Sequence, residues 1–315
     1  MASSVDRPLL GIALNIVGLA VFAVQDVVIK LLSDEYSAFQ IVFTRSLVAL
    51  VPTTMVLYIT LGSRGLITWQ LPVLLLRGVL LFISYTSYYL AVAALPLVDV
   101  VSIVFAAPLF VTALSGPVLG EYVGLRRWVA VLVGFSGVLI MVGPSGRILH
   151  PASLLALTAG LTYGLSIIMT RRVGATESSW TMSFYTVVVF AVLSALGSSL
   201  IHALDLPVGT NPSYAFLTRP WILPDMDDMA LMILVGFVAS VGFYCLTQAY
   251  RVAPVSIVAP FDYSYFIWAL LFGYIFWSDL PTLATWLGVS IVIASGIYIL
   301  RRELALQKQE RERAL

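Results

Sequence analysis

Charged residues inside long apolar stretches are the first candidates for chemistry in this sequence. A charge costs roughly 2.5–3.5 kcal/mol at the centre of a membrane-spanning helix, so it normally faces the bundle interior and has a partner. Asp26 and Arg45 lie at a similar depth in consecutive stretches, and we predict a structural ion pair between them. Arg77 and Asp262 lie at a similar depth near the opposite face. They either pair with each other or hold the two ends of a zwitterionic solute.

Two further acidic residues stand where apolar helices are expected to begin. Glu121 and Asp279 each precede a helix with spaced glycines, at opposite faces of the predicted bundle. An acid at a helix start stabilises the free backbone N–H groups of the first turn. We interpret both as helix-start acids, with proton coupling as the alternative.

Aromatic and amide side chains lie at mid-depth in the same stretches. Tyr85 and Tyr88 are three residues apart, and Tyr244 and Gln248 are four apart, so each pair shares a helix face. Phenols at this depth suit a semi-polar cavity that stacks on flat or cationic solutes. Interfacial anchoring is the alternative role for such residues. The predicted solute site contains Tyr85, Tyr88, Arg77, Tyr244, Gln248, Asp262, Trp268 and Tyr163.

The composition indicates which elements must position these residues. Apolar residues make up 60% of the 315 residues and charged residues 10%, against about 45–50% and 25% in soluble domains. Such a chain is predicted to be an all-α integral membrane protein that lies in a lipid bilayer. The net charge of +1 excludes the basic patch that nucleic-acid binding needs. The single cysteine and the separated histidines give no metal motif, so we expect no metal or cofactor.

Ten apolar stretches are long enough to cross a bilayer core of about 30 Å, which needs roughly 20 helical residues. They run at about 9–32, 37–61, 70–94, 98–119, 125–143, 151–171, 178–201, 229–252, 255–277 and 281–301. Leu204–Asp228, which holds four prolines and four aspartates, is predicted to be an acidic, aqueous external loop. Twelve basic residues fall on the side of the N-terminus and three on the other. This asymmetry predicts cytoplasmic termini, including a charged tail at 304–315, in the cell inner or plasma membrane.

The two halves of the chain resemble each other. An offset of 158 residues relates Ala91 to Ala249, Pro96 to Pro254 and Glu121 to Asp279. We therefore predict two five-helix repeats, at 1–146 and 147–303. An odd number of spans inverts the second copy in the membrane. Inverted repeats place a binding site near the midplane and allow alternating access by rocking of one part against the other.

The same pattern resembles a known family. Ala91-x4-Pro96, an apolar helix and Leu119-Gly-Glu121, occurring again from Ala249 to Asp279, is similar to the EamA-type drug/metabolite transporter superfamily. The resemblance extends from about Leu9 to Arg302, although Ser278 and Asp279 replace the usual Gly-Glu. Phe43-Thr-Arg45 and Leu76-Arg77-Gly78 resemble the branch with S-adenosylmethionine and riboflavin uptake carriers. The resemblance implies a ten-helix metabolite transporter.

We therefore expect a secondary transporter, a monomer or weak dimer, for a small aromatic, cationic or zwitterionic metabolite. An exporter of amino acids or drugs on the same fold is the alternative. A channel would need a continuous polar stripe, and a membrane-embedded enzyme would need a catalytic set; the sequence shows neither. The GxxxxGK[ST] loop is also missing, so direct drive by ATP is not expected.

Overall fold

The computed structural model describes residues 8–107, 109–111, 113–114, 125–142, 151–174, 176–253 and 258–314, and the ordered elements within them are helical. The α-helices are α1 Pro8–Leu32, α2 Ala38–Leu61, α3 Leu71–Ala94, α4 Leu97–Val104, α5 Leu125–Val142, α6 Pro151–Val173, α7 Ser179–Ala203, α8 Pro212–Thr218, α9 Met226–Val252, α10 Tyr265–Trp277 and α11 Leu283–Ala314. Short 3₁₀-helices run over Gly62–Leu66 and Ala259–Ser264. The all-α prediction is confirmed for the described residues.

Six of these helices are long and apolar enough to cross a membrane: α1, α2, α3, α6, α7 and α9. Shorter apolar segments lie in α5 and α11 and across 97–111. The protein is therefore a multi-pass membrane protein, while the count of ten spans stays a prediction. Predicted spans 98–119 and 255–277 run partly over residues outside the described ranges, as do Glu121 and Pro254.

Local signals in the sequence set several helix ends. Gly62, with a φ of 63°, ends α2, and its N–H bonds to the Tyr58 carbonyl. Glycine adopts this left-handed conformation without a Cβ clash. The side chains of Ser178 and Asp225 accept backbone N–H bonds at the starts of α7 and α9. Polar residues between apolar stretches thus fix where the long helices begin.

The long helices pack in two groups. α1 packs along α9 and contacts the Ala259–Ser264 3₁₀-helix and α10; we call these four elements the α1 group. α3 packs along α6, which also contacts α4; these three helices are the α3 group. α2 and α7 pack on each other, α2 also contacting α9 and α7 also contacting α3. The two groups meet where α4 contacts α10 and α1 contacts α3.

Glycines permit close backbone contact between α5 and α11, the remaining pair of helices. A Cβ added at Gly137 of α5 would lie 2.7 Å from the carbonyl oxygen of Gly288 on α11. At Gly160, where α6 meets α4, the nearest atom to an added Cβ is the Val104 carbonyl oxygen at 3.3 Å. Backbone approach of this kind is the usual use of small residues in membrane helices.

The segment 204–228 contains a short helix, α8, that packs onto one end of the bundle, and its assignment as an aqueous external loop stays a prediction. That end contains Leu32, Ala38 and Ala94, and we call it the Lys30 end; the opposite end is the Arg77 end. Phe216 of α8 is 1% exposed, and Ser213 donates to the Leu90 carbonyl at 2.6 Å. Residues 204–208 and 221–223 are exposed, as the proline and aspartate content predicts, whereas Ala215 and Phe216 of α8 are buried against the helix ends.

Further bonds fasten this segment to the first two helices. Gln40 donates to the Ile222 carbonyl at 2.5 Å and accepts from the Ile222 N–H at 3.2 Å. Tyr36 donates to Asp228 at 2.6 Å, and this bond raises the pKa of Tyr36 to about 12. The phenol therefore stays protonated and keeps donating across the physiological pH range.

Candidate functional site

Asp26 of α1 is a buried carboxylate held by two phenols. Its side chain is 3% exposed. Tyr88 of α3 donates to Oδ2 at 2.6 Å, and Tyr265 of α10 donates to the same oxygen. Within the described part of the chain, Oδ1 accepts no hydrogen bond. One phenol comes from the α3 group and the other from the α1 group, so Asp26 lies where the two groups meet.

Arg45 of α2 is bound close by, in an aromatic cage. It is 1% exposed, and Nη1 donates to the Tyr89 hydroxyl at 2.6 Å. Its guanidinium carbon lies 5.5, 5.4 and 5.3 Å from the ring centroids of Tyr85, Tyr89 and Phe190. Contacts between a guanidinium and ring faces gain strength when the group is desolvated. Arg45 is thus stabilised by rings and a phenol.

The structural ion pair predicted between Asp26 and Arg45 is not formed directly in this structure. Both residues are described, and no ion pair of 4.0 Å or less joins them. Tyr88 and Tyr89 are adjacent on α3, so their side chains leave the helix about 100° apart. One phenol reaches the carboxylate and the other the guanidinium. The two charges are therefore solvated separately by neighbouring tyrosines.

Arg77 is bound by hydroxyl and carbonyl oxygens near the Arg77 end. Nε donates to Thr170 of α6 at 2.6 Å, and Nη1 donates to Thr186 of α7 at 2.7 Å and to the Met182 carbonyl at 3.4 Å. The side chain is 6% exposed. These contacts tie α3 to α6 and α7, a structural arrangement that the sequence analysis did not consider.

Asp262 lies on the Ala259–Ser264 3₁₀-helix and accepts a bond of 3.0 Å from the Asn15 amide of α1. Within the described ranges no ion pair of 4.0 Å or less joins it to Arg77, and the other alternative, that the two residues hold opposite ends of a solute, stays a prediction. The reason is tertiary: Arg77 belongs to the α3 group and Asp262 to the α1 group. Asp262 remains half-buried, at the boundary between them.

Tyr85 and Tyr163 lie between these charged centres. Both are half-buried, and neither hydroxyl forms a hydrogen bond with a described residue. The Tyr85 ring contacts Phe22 and Phe243 at centroid distances of 6.0 and 5.7 Å. Tyr163 interacts electrostatically with Asp262, Tyr85 and Arg77. These two phenols are thus placed to donate to a molecule held between the groups.

Other predicted site residues lie elsewhere. Tyr244 stacks on Trp180 of α7 with centroids 4.4 Å apart and an interplanar angle of 14°, and Gln248 is half-buried one turn further along α9. Trp268 stacks on Phe272 of its own helix at 6.3 Å. The structure therefore does not gather Tyr244 and Trp268 with the Asp26 cluster.

Asp279 has a different role from the predicted one. It forms an ion pair with Lys30 at 4.0 Å, and Lys30 also lies 4.7 Å from the Trp277 ring centroid. The first turn of α11 is capped instead by Thr282, whose hydroxyl accepts the Thr285 N–H at 3.2 Å. Asp279 thus joins the end of α10 to the end of α1.

Three hydrogen bonds join the α1 group to the α3 group at the Lys30 end, and we call them the seam. Gln25 donates to Tyr89 at 2.8 Å, Tyr88 donates to Asp26, and Lys30 donates to the Leu95 carbonyl at 3.2 Å. At the Arg77 end, the side-chain hydrogen bonds between described residues do not join the α1 group to the α3 group. The Asn15–Asp262 bond, for example, lies within the α1 group. Among the described residues, side-chain hydrogen bonds therefore join the two groups at the Lys30 end.

Comparison with known proteins now identifies the family. The model of the EamA-like transporter family matches residues 9–143 and again 150–301. The chain belongs to the EamA-like transporter family. A crystal structure with 16% identity covers 98% of this chain and 99% of its own, with a TM-score of 0.63, and supports the fold alone.

Two curated relatives of this EamA protein carry functional names. The S-adenosylmethionine uptake transporter of Rickettsia prowazekii is 27% identical over 296 residues, 93% of each chain. The riboflavin transporter of Vibrio cholerae is 28% identical over 286 residues, 88% of this chain and 90% of the relative. This EamA protein is accordingly a small-metabolite transporter and not an enzyme.

Sequence reasoning missed several contacts of the EamA site. Tyr89, Tyr265 and Asn15 bond to the charged residues and Gln25 bonds to Tyr89, yet none of the four was a predicted site residue. Asn15 and Gln25 are amides inside an apolar stretch and fully buried, a signal that could have selected them. Tyr265 and Tyr89 stand among many aromatic residues, and only the packing distinguishes them.

Proposed function

We propose that this EamA transporter carries a small, flat organic solute, cationic or zwitterionic, across the cell inner or plasma membrane by alternating access. The single observation that carries this proposal is the buried Asp26 carboxylate, whose described partners are phenols and not cations. An ionisable side chain buried in a membrane interior is costly and typical of a functional site. The solute would lie between the α1 and α3 groups.

The dimensions and chemistry of this region fit such a solute. Asn15, the partner of Asp262, and Asp26 are eleven residues apart on α1, or about 16 Å along the helix axis. Tyr85 and Tyr163 lie between these carboxylates with hydroxyls that bond to no described residue. Phenol faces stack on flat rings and their hydroxyls bond to polar edges. The relatives' named solutes both contain a flat heterocycle joined to polar groups.

The packing pattern supports alternating access between inverted repeats 1–146 and 147–303. In the predicted repeat, the counterparts of α1, α2, α3 and α4 are α6, α7, α9 and α10. The α1–α9 contact then corresponds to α6–α3, the α2–α9 contact to α7–α3, and the α1–α10 contact to α6–α4. Each of these contacts is present, as expected for a pseudo-two-fold axis through the bundle. The double match of the family model also supports two copies. Rocking of the α1 group against the α3 group would then open the two ends in turn.

Uptake into proteoliposomes tests the proposal, with S-adenosylmethionine and riboflavin as probes. We expect saturable uptake and counter-exchange of at least one probe, and their loss in Asp26→Asn and Asp262→Asn. Asp99→Asn is the matched control, because Asp99 is also a carboxylate in a predicted span but accepts from Thr285 of α11. Full transport in both site variants would contradict the proposed location, and turnover of a probe without movement would contradict a carrier.

A further inference from the structure

We propose that Asp26 selects a solute with a positive charge, and that this charge displaces the Tyr88 hydroxyl and so opens the seam. The inference rests on the proposed function and specifies the class of solute for that site. It combines two observations. Acceptor oxygens on α1 lack donors, and the two phenols that bond to Asp26 come from different helix groups.

Among the described residues, the cations near Asp26 form no ion pair with it and are bound by other groups, except that Nη2 of Arg45 has no hydrogen-bond partner. Arg45 donates to Tyr89 and lies among three rings, and Arg77 is bound by threonine hydroxyls. Lys30 is paired with Asp279 and donates to the Leu95 carbonyl. Asp26, in contrast, keeps Oδ1 without a hydrogen bond from the described residues. A cation that completes its coordination would therefore come from outside the chain.

Other acceptors on α1 also lack donors. Asn15 Oδ1 and Gln25 Oε1 are buried and accept no hydrogen bond in the described part of the protein. A buried acceptor without a donor is unfavourable, and most are satisfied in folded proteins. With Asp26 Oδ1, three oxygens on one helix lack donors. This set suits a solute that brings a positive charge and N–H donors, and it gives less to a neutral solute.

Displacement at Asp26 has different consequences for the two phenols. Tyr88 and Tyr265 both donate to Oδ2, but Tyr88 crosses from the α3 group while Tyr265 belongs to the α1 group. Loss of the Tyr88–Asp26 bond removes one of the three seam bonds, whereas loss of the Tyr265–Asp26 bond removes none of these three and only the contact between the two phenols. A solute cation that replaces Tyr88 would thus couple binding to release of the Lys30 end.

Charge selection is tested by binding to the purified full-length protein. S-adenosylmethionine has a sulfonium charge, whereas S-adenosylhomocysteine lacks the S-methyl group and has a neutral thioether there; both keep the same zwitterionic amino acid end, so the pair tests the sulfonium charge. We expect the wild type to bind the sulfonium compound roughly tenfold or more tightly, as for a charge-assisted contact. Asp26→Asn should lose this preference and Asp99→Asn should keep it. An unchanged preference in Asp26→Asn overturns the inference. Binding and transport of riboflavin with no preference for charge also overturns it, but leaves the carrier function intact.

Opening of the seam is tested without any solute. Ala23 lies one turn from Asp26 towards the Arg77 end and is 1% exposed. In a Cys245→Ala background, Ala23→Cys should react slowly with an impermeant thiol reagent applied from the Lys30 side. Adding Tyr88→Phe should raise the labelling rate several-fold, whereas adding Tyr265→Phe, which removes a bond to the same oxygen, should not. Equal rates in the two variants would show that Tyr88 has no special role in closure.

Discussion

Replacing Thr170 and Thr186 together by valine is expected to destabilise this transporter more than removing Arg77 itself. Each threonine hydroxyl donates to its own helix, Thr170 to the Ser166 carbonyl and Thr186 to the Met182 carbonyl, both at 2.8 Å. Each hydroxyl is then free to accept from Arg77. Valine has nearly the shape of threonine, so the double change removes two acceptors from a buried guanidinium without creating a large cavity.

The size of the effect follows from these bonds. A hydrogen bond to a charged group contributes about 1.5–3 kcal/mol, so losing two gives about 3–6 kcal/mol. The lower end is expected in a membrane, where the unfolded chain finds other partners. The remaining bond to the Met182 carbonyl, at 3.4 Å, compensates little. Arg77→Met should cost less, about 1–3 kcal/mol, because both hydroxyls keep their bonds to backbone carbonyls. Adding Arg77→Met to the valine pair should recover most of the loss.

Reversible unfolding in lipid nanodiscs, followed by tryptophan fluorescence, measures the three variants against the wild type, and uptake is assayed in parallel. The structural role of Arg77 requires that the valine pair be the least stable and the triple variant close to Arg77→Met. If the variant with both Thr170→Val and Thr186→Val kept its stability but lost most of its uptake, this reasoning would be refuted, and Arg77 would belong to the solute site instead.

Three further predictions concern other parts of the fold. Gly137→Ala should destabilise the protein by about 1–3 kcal/mol through the clash with a facing backbone carbonyl, while Gly160→Ala should cost less; similar losses of unfolding free energy would contradict this. Phe216→Ala should cost about 3–5 kcal/mol and make the 204–228 segment sensitive to protease, and full protease resistance would show that this side chain does not hold the segment. Cysteines at Ser3 and Ala314 should both be protected from an impermeant reagent on intact cells, and labelling of either would reverse the proposed orientation.

Local features of the sequence predicted the helices well and their contacts poorly. The apolar content and the stretch lengths anticipated the long helices, because a membrane allows few other ways to satisfy backbone groups. The Asp26–Arg45 pairing was predicted from depth, which the sequence supplies. Which side chains meet also depends on how each helix is rotated about its own axis, and the neighbouring helices set that rotation. Both residues therefore lie close to the same pair of tyrosines and yet do not bond to each other.

The segment 204–228 shows the same limit in another form. Its prolines and aspartates indicate an interruption between helices, which the structure contains. They do not reveal that Phe216 and Ser213 fit the end of α3. Docking of a connection depends on the shape of a surface built by several distant helices, and no local pattern records that shape.

The sequence by itself determined that this protein is helical and lies in a membrane, because burial of apolar length in lipid is a property of each segment alone. Transport of a small molecule was indicated by the repeated pattern and the family that it resembles, and the sequence also supplied the charges for which we propose a role in transport. Only the tertiary structure decided that Arg77 ties α3 to α6 and α7, and that Asp26 is held by phenols from two helix groups. The physical reason is that a charge in a membrane takes whichever donor or acceptor lies within about 3 Å, and packing alone brings residues 62 or 239 positions apart to that distance.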